Sequence, residues 1–253
     1  MRVAAIQHDI AWCDRETNFA QLEPLVAQAA QSGARLVVLT ETFSTGFAVE
    51  NADAAEPAGG PTYQFLARMA TEHNIWITGS CLEASSNEDS RMVNALIAIS
   101  PTGAARRYHK IHPFTFGGEA EHVQPGTEHV TIDIDGVRTS LFICYDLRFA
   151  DEFWRLAPST DLYIVPANWP SKRQTHWGAL LRARAIENQA YVIGCNRVGT
   201  GPAGQYMGES MIIDPWGASL AVGGASTEVI YADIVPNVVA NTRAKFPFLN
   251  DRR

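Results

Sequence analysis

Short runs of β-branched and other apolar residues alternate, in the first half of the chain, with segments whose apolar positions recur every three or four residues. The first pattern predicts buried strands, and the second predicts helices that cover one face of a sheet. We therefore expect strands at 2–7, 34–41 and 75–83, helices at 18–33 and 61–74, and a hairpin over 93–110. Pro24 lies inside the first helical pattern, where its ring should either kink the helix or delay its start.

The second half of the chain repeats this alternation without a true sequence repeat. We expect strands at 137–144, 161–168, 191–196 and 228–234, helices at 151–157 and 175–190, and two strands around a Pro-Gly turn within 209–224. No linker or low-complexity stretch separates the two halves. The pattern predicts a single α/β domain over residues 1–253, with helices on the faces of mixed sheet.

Composition and charge narrow the class of protein. The chain has 253 residues, of which 46% are hydrophobic, and this is enough for a sizeable core. The net charge of −7 and the absence of long Lys/Arg runs argue against nucleic acid as a partner. The first residues lack the order of a signal peptide, and no apolar stretch is long enough to span a bilayer. We expect a cytoplasmic protein that does not interact with membranes.

The four cysteines are widely spaced. Cys13, Cys81, Cys144 and Cys195 include no C-x-x-C pair and no Cys/His cluster at zinc-finger spacing. The spacing indicates neither a disulfide framework nor a metal site. In a reducing compartment, each cysteine is most simply a small buried hydrophobic residue, so a further feature is needed to single one out.

Three of the predicted strands end on side chains that carry chemistry. Glu41 ends "VVLTE", Lys110 ends "RRYHK" and Cys144 ends "SLFIC". Ligands of open α/β sheets bind outside the carboxyl ends of the strands. A thiol there acts as a nucleophile if a base removes its proton and a cation holds the charge that develops on its target. Each residue alone has a plainer interpretation: an ion-pair or capping glutamate, a solvated lysine and a core cysteine.

The segments around these three residues resemble those of the nitrilase, or carbon-nitrogen hydrolase, superfamily. The likeness lies in "LTETF", "YHKIHPF" and "CYDLRF", and it continues through "PANWP", "RARAIENQAYV" and "GESMIIDPWG". It implies a four-layer α-β-β-α sandwich and a homo-oligomer, a homodimer or larger. It also implies that Cys144 forms a thioester, that Glu41 transfers protons, and that Lys110 with a backbone N–H stabilises the oxyanion. The implied reaction needs neither a metal nor a cofactor.

Members of this superfamily often carry a second glutamate in the loop between the lysine and the cysteine, seven residues before a glycine. In "GGEAEHVQPG" the matching residue is Glu119, seven residues before Gly126, and Glu121 is the alternative. Such a residue would orient the lysine or the substrate amide and influence the protonation of the first glutamate. The plain alternative for either residue is an acid on a surface loop.

The substrate class follows from the same resemblance. "CYDLRF" is similar to the amidase branches rather than to true nitrilases. "PANWP" and "RARAIENQAYV" favour the omega-amidase-like group, which hydrolyses terminal amides of short oxo acids. We therefore expect a small-molecule amide as substrate. A general aliphatic amidase, a nitrilase, a thioester-forming acyltransferase and a catalytically silent binding module remain as alternatives.

Several residues near the predicted strand ends are candidates for contacting that substrate. They are Tyr145, Asn168, Trp169, Phe116 and Arg173, with Phe43 and Phe114 as further aromatic candidates for the pocket wall. A substrate carboxylate needs a cation, and Arg173 lies on a loop after a strand end. We interpret Arg148 as the partner of an internal ion pair. His109 and His112 flank the lysine, and His112 is interpreted as a hydrogen-bonded support rather than as a catalytic base.

Overall fold

The structure, a computed structural model, describes residues 1–85 and 91–252. Within these ranges the strands are β1 (Arg2–Gln7), β2 (Leu36–Val38), β3 (Trp76–Glu83), β4 (Val93–Ile99), β5 (Ala105–His109), β6 (Thr131–Ile134), β7 (Val137–Leu141), β8 (Leu162–Ala167), β9 (Tyr191–Asn196), β10 (Val198–Gly201), β11 (Gly204–Met207), β12 (Met211–Ile213), β13 (Ser219–Val222) and β14 (Glu228–Asp233). The α-helices are α1 (Arg15–Gln31), α2 (Pro61–His73), α3 (Glu119–His122), α4 (Ala150–Leu156), α5 (Gln174–Asn188) and α6 (Pro236–Lys245).

The strands form two six-stranded sheets and one separate hairpin. The first sheet has the order β14-β1-β2-β3-β4-β5, the second has the order β13-β12-β9-β8-β7-β6, and β10 and β11 form the hairpin. β1, β2 and β3 run parallel, and two antiparallel steps through β4 bring β5 back to the same direction. The carboxyl ends of β2 and β5 therefore lie at the same edge of the first sheet.

Alternate residues of the strands belong to different cores. Val3 of β1 shares a core with Ile164 of β8 in the second sheet. The next residue, Ala4, shares a core with Leu22 of α1 and Leu66 of α2. This is the period of two that a strand buried on both faces requires. On the other side of the molecule, α5 packs against β9 and β12. The layers are thus helix, sheet, sheet and helix, as the resemblance implied.

Helix α1 differs from its prediction at Pro24. The helix runs without interruption from Arg15 to Gln31 and includes Pro24, so the expectation of a delayed start is wrong. The start is fixed by Asp14, whose side chain accepts a hydrogen bond from the backbone N–H of Thr17 at 3.0 Å. This N-cap satisfies a backbone donor that the first turn would leave unpaired.

Two predicted strands end earlier than expected, and both end near the candidate chemistry. β2 ends at Val38 rather than at Glu41, and β7 ends at Leu141 rather than at Cys144. In both cases the three following residues remain buried. Burial therefore continues past the last residue of each strand, and the pattern predicted burial correctly but strand length incorrectly.

Candidate active site

Cys144 lies on a sharp turn after β7. It is the first residue of a 3-10 helix, Cys144–Arg148, and its backbone φ is 44°. This left-handed conformation is unusual for a residue with a Cβ, and such strain is often found at functional sites. The side chain is almost buried, with 9% of the residue exposed. The turn thus places the thiol outside the sheet, on the side where the parallel strands end.

Lys110 lies between two buried glutamates. Its Nζ is 2.9 Å from Oε1 of Glu41 and 2.8 Å from Oε2 of Glu119. All three side chains are fully shielded from solvent. A buried charge is tolerated when it is paired and hydrogen-bonded, and each of these charges is. The structure therefore brings together Glu41 and Lys110, which the sequence assigned to proton transfer and oxyanion binding, and Glu119, the candidate for orienting the lysine. All three lie on segments that follow β2 and β5.

Two asparagines complete the hydrogen bonding of Glu41. Nδ2 of Asn94 donates to Oε1 of Glu41 at 3.0 Å and to Oε1 of Glu119 at 3.1 Å. The backbone N–H of Asn168 donates to Oε2 of Glu41 at 2.8 Å. The sequence predicts that Asn168 binds substrate, and the structure places it against Glu41. Asn94 was missed, although a lone polar residue within the apolar run "VNALIAI" is a signal of a buried polar role.

Electrostatics set the protonation of the thiol and the lysine. Burial and the negative charge of Glu41 raise the pKa of Cys144 well above its ordinary value, although Lys110 opposes the shift. Burial alone would lower the pKa of Lys110, but the charges of Glu119 and Glu41 together raise it. The lysine therefore stays a cation at neutral pH, and the thiol stays protonated until a base removes its proton.

Glu119, and not Glu121, contacts the lysine. Glu119 is fully buried and begins the short helix α3, whereas Glu121 is exposed to solvent. The loop that carries Glu119 returns to the lysine strand at Gly126, whose backbone N–H donates to the carbonyl oxygen of Lys110 at 2.8 Å. A Cβ at position 126 would lie 2.1 Å from the carbonyl oxygen of His109. Only glycine allows this close approach.

Asp146 links the turn at Cys144 to the lysine segment. Its carboxylate accepts hydrogen bonds from the backbone N–H of Ile143 at 2.9 Å, from the backbone N–H of His112 at 2.9 Å and from the hydroxyl of Tyr108 at 2.8 Å. Ile143 precedes Cys144, while Tyr108 and His112 lie two residues to either side of Lys110. One buried carboxylate thus fixes the position of the thiol relative to the ammonium group.

A cavity of about 120 Å³ opens onto the thiol. Three candidate substrate-binding residues, Tyr145, Asn168 and Trp169, line this cavity, and so does Arg173. The remaining lining residues are Glu41, Phe47, Lys110, Phe114, Gly117, Cys144, Arg148, Pro170, Ala203 and Tyr206. No sequence signal pointed to Phe47, Ala203 and Tyr206, because they reach the cavity from loops and from the β10-β11 hairpin, which the hydrophobic pattern did not predict.

Two aromatic candidates do not belong to the cavity lining. Phe116 is 88% exposed, and the neighbouring Phe114 and Gly117 line the cavity in its place. Phe43 is fully buried in the core beneath the helices of the first sheet, where it packs near Phe65. Both residues were proposed from their proximity in sequence to the candidate catalytic segments. Proximity does not determine the direction of a side chain on a turn.

The interpretation of Arg148 as half of an internal ion pair is wrong. Within residues 1–85 and 91–252, no carboxylate lies within ion-pair distance of its guanidinium group. The group instead stacks over the ring of Trp169, 4.7 Å from the centroid, and its Nη2 is 3.3 Å from Nδ1 of His176. Arg173 lies over the ring of Phe114 at 5.2 Å. Two cations thus line one side of the cavity.

The two histidines that flank the lysine lie outside the cavity lining. The ring of His112 stacks on Phe149 at 3.6 Å, and its Nε2 is 3.3 Å from Oε1 of Glu152. His112 therefore supports the lysine segment, as the sequence suggested.

In the described part of the chain, no group of three or more His, Cys, Asp or Glu side chains is arranged to hold a metal ion. None of its helices has the length and apolar character required to cross a bilayer.

A sandwich of two helix-covered sheets with a shielded Glu-Lys-Glu network beside a thiol defines a class of hydrolases. Comparison with known families agrees with this assignment, since the carbon-nitrogen hydrolase family profile matches residues 2–244. The chain therefore belongs to the carbon-nitrogen hydrolase family, and it is a hydrolase of carbon-nitrogen bonds other than peptide bonds.

Individual relatives show which members of the family this chain is similar to. The chain is 32% identical to the 2-oxoglutaramate amidase of Bacillus subtilis (strain 168), over 99% of this chain and 97% of that protein. It is 35% identical to the omega-amidase YafV of Escherichia coli (strain K12), over 99% of this chain and 96% of that protein. A solved CN-hydrolase superfamily protein of Xanthomonas campestris, with an arsenic adduct in its active site, is 33% identical at a TM-score of 0.93 and covers 100% of this chain and 97% of its own.

Proposed function

We propose that the protein is a cysteine-dependent amidase that converts small terminal carboxamides to carboxylates and ammonia through a thioester on Cys144. The observation that carries the proposal is the sealed network of Glu41, Lys110 and Glu119 next to a thiol that opens into a cavity. This arrangement holds a nucleophile, a base and a cation around one point where a carbonyl carbon can sit. The family match and the names of the relatives support the same reaction.

In the first half of the reaction, Glu41 takes the proton from the thiol of Cys144, and Sγ attacks the amide carbon. The oxygen becomes an oxyanion, which accepts hydrogen bonds from Nζ of Lys110 and from the backbone N–H of Tyr145 in the first turn of the 3-10 helix. Glu41 then gives its proton to the amide nitrogen. The carbon-nitrogen bond breaks, ammonia leaves, and the acyl group remains on sulfur.

In the second half, Glu41 takes a proton from a water molecule, and the resulting hydroxide attacks the thioester carbon. The same donors hold the second oxyanion. The carbon-sulfur bond breaks, the carboxylic acid leaves, and Glu41 returns its proton to the sulfur of Cys144. Lys110 acts throughout as a permanent cation, because its neighbours raise its pKa.

The substrate is a short amide that carries a second, anionic group, and 2-oxoglutaramate and succinamate are examples. Two features support this choice. The relatives include enzymes named 2-oxoglutaramate amidase and omega-amidase. In addition, Arg148 and Arg173 present guanidinium groups to the cavity, and within the described ranges neither is in an ion pair with a carboxylate. Guanidinium groups bind carboxylates in a bidentate manner, which suits the distal end of such a substrate.

The experiment is a comparison of kcat/KM for succinamate and for butyramide, which has the same chain length but no carboxylate. We expect wild type to prefer succinamate by roughly ten- to a hundred-fold, which corresponds to one charge-assisted contact. Arg173→Ala should reduce this ratio toward one. Lys172→Ala, which removes the adjacent exposed cation, is the matched control and should leave the ratio unchanged.

The outcomes test separately which arginine binds the substrate carboxylate and whether the protein is an amidase. A wild-type ratio near one contradicts carboxylate recognition and leaves a general amidase. A high ratio that survives Arg173→Ala but is lost in Arg148→Ala moves the anchor to Arg148. Absence of ammonia release from every small amide tested contradicts the amidase itself.

We further propose that residues 1–253 form one carbon-nitrogen hydrolase domain that acts in the cytoplasm as a homodimer or larger homo-oligomer. The match of one family profile to residues 2–244 supports the single domain. Four free cysteines suit a reducing compartment. Ile186, Trp216 and Phe246 are large apolar side chains on the surface, and such residues often mark an interface. Light scattering at micromolar concentration tests the assembly, and a monomeric mass contradicts it.

A further inference from the structure

Asn94 has hydrogen bonds that only one orientation of its amide explains. Asn94 is fully buried in β4, and its Nδ2 donates to a carboxylate oxygen of Glu41 and to a carboxylate oxygen of Glu119. Its Oδ1 has no hydrogen-bond partner within the described ranges. The reversed amide would place a carbonyl oxygen against two carboxylate oxygens, which repel it. The side chain is therefore held by its two N–H groups, one to each acid.

This arrangement distinguishes the two oxygens of Glu41. Oε1 accepts one hydrogen bond from Nζ of Lys110 at 2.9 Å and one from Nδ2 of Asn94 at 3.0 Å, so both of its lone pairs are occupied. Oε2 accepts the backbone N–H of Asn168 at 2.8 Å. A second contact from the side chain of Asn168 to Oε2 is long, at 3.4 Å, and is shared with two shorter bonds of the same Nδ2 group. Oε2 is the oxygen that can receive a proton.

Asn94 stabilises both carboxylates without adding a positive charge, which a second cation could not do. Glu41, Glu119 and Lys110 carry a net charge of −1 when all three are ionised. A further lysine at position 94 would cancel that charge and weaken the base, whereas an amide donates to both carboxylates without adding charge. Asn94 is absent from the lining of the cavity, so it acts on the acids and not on the substrate.

We infer that Asn94 is a positioning residue that fixes Glu41 and Glu119 relative to Lys110 and leaves Oε2 of Glu41 as the oxygen that exchanges the proton with Cys144. The inference rests on the proposed amidase reaction for its readout in turnover. It has a second readout that needs no substrate, because the same proton transfer activates Cys144 toward iodoacetamide.

The experiment measures kcat, KM and the pH dependence of kcat/KM for wild type, Asn94→Ala and Asn94→Ser. The titratable groups that face Glu41 are Lys110, Glu119, Cys144 and, at longer range, Tyr206. All four are unchanged in the variants. Removal of a hydrogen-bond donor favours the protonated form of a carboxylate. The acid limb, which is the low-pH side of the pH profile of kcat/KM, should therefore move to higher pH, by roughly one to two units in Asn94→Ala. We expect kcat to fall ~10- to 100-fold with KM nearly unchanged.

Asn94→Ser keeps one hydroxyl donor, so its acid limb should lie between those of wild type and Asn94→Ala. Asn188→Ala is the matched control: Asn188 is also fully buried with an unpaired Oδ1. Its Nδ2 donates to the carbonyl oxygen of Arg184 at 2.8 Å and makes only a long contact, at 3.5 Å, with a carboxylate oxygen of Glu187, away from Glu41 and Glu119. The control should lose stability without a shift of the acid limb. The rate of Cys144 alkylation by iodoacetamide, followed by peptide mass analysis across pH, should show the same order of variants.

The outcomes are distinct. A lower kcat with an unmoved acid limb, in turnover and in alkylation alike, overturns the inference and leaves Asn94 as part of the core. An unchanged kcat overturns it as well. If wild type hydrolyses none of the amides tested, the proposed function fails, and the alkylation profiles of wild type and Asn94→Ser still decide the role of Asn94.

Discussion

Glu41 takes part in every proton transfer of the proposed reaction. It accepts the thiol proton, passes it to the leaving nitrogen and later activates water, so no other residue acts as a base in this reaction. Glu41→Gln keeps the shape and removes the base, and we expect kcat for amide hydrolysis to fall by about 10²- to 10⁴-fold. Glu121→Gln removes an exposed acid from the same region and should leave kcat unchanged. Ammonia release measures both, and a loss of only a few-fold in Glu41→Gln would reassign the base.

Asp146 predicts a pH dependence of stability. Burial raises the pKa of its carboxyl group from 3.8 to about 6, although hydrogen bonds from Ile143, Tyr108 and His112 and the charge of Lys110 oppose the shift. Because the folded state prefers the protonated acid, the contribution of Asp146 to the free energy of unfolding is greatest below pH 4 and decreases as the pH rises to about 6, by roughly 3 kcal/mol.

The measurement is urea unfolding of wild type and Asp146→Asn at pH 4 and at pH 7. Other titrating groups are common to both proteins, so they cancel in the difference between the two free energies of unfolding. Wild type should lose stability relative to the variant as the pH rises. A difference that stays constant between the two pH values contradicts the assignment of a buried acid with a raised pKa.

At the scale of elements, the loop from β5 to β6 carries both the lysine and the second glutamate. It returns to β5 at Gly126, where the backbone passes against the carbonyl oxygen of His109. Gly126→Ala places a methyl group in that contact, and we expect it to lower the free energy of unfolding by about 1–3 kcal/mol and to reduce kcat, because Glu119 moves with the loop. Gly178→Ala in α5, where the nearest atom is 3.4 Å away, should be neutral or stabilising.

Denaturant unfolding and ammonia release check this pair of variants. If Gly126→Ala matches wild type in both measurements, the close contact does not hold the loop in place. If stability falls while kcat stays constant, the position of Glu119 does not depend on this contact.

The elements themselves were largely predictable from hydrophobic periodicity. β1 and β9 match their predictions residue for residue, because each is a short, mostly apolar run that ends on a polar side chain. The hairpin of β10 and β11 and the helix α6 were not predicted, since their burial is mixed and gives no clear period. The candidate residues Glu41, Lys110 and Cys144 were recognised from motifs near the ends of strands, whereas Phe47 and the ion-pair status of Arg148 depend on tertiary contacts that no local pattern encodes. Asn94 has a local signal, a lone polar residue in an apolar strand, but its hydrogen-bond partners depend on tertiary contacts.

At the scale of the whole molecule, the site exists only where the two sheets meet. Glu41, Lys110 and Glu119 follow strands of the first sheet, and Cys144 and Asn168 follow strands of the second. The hydrogen bond that Asn168 donates to Glu41 crosses this boundary, and so does the bond that His112 of the lysine segment donates to Asp146. Packing of the sheets therefore assembles the catalytic geometry, and disruption of that packing should abolish activity together with the fold.

The central claim is that Cys144 is the nucleophile, and the most direct measurement is the rate of ammonia release by Cys144→Ala with the amide that wild type cleaves fastest. Circular dichroism verifies that the variant is folded, and Cys13→Ala, Cys81→Ala and Cys195→Ala are the matched controls. The account predicts a loss of more than about 10⁴-fold for Cys144→Ala and rates close to wild type for the controls. A folded Cys144→Ala protein that releases ammonia at more than a few per cent of the wild-type rate would contradict it.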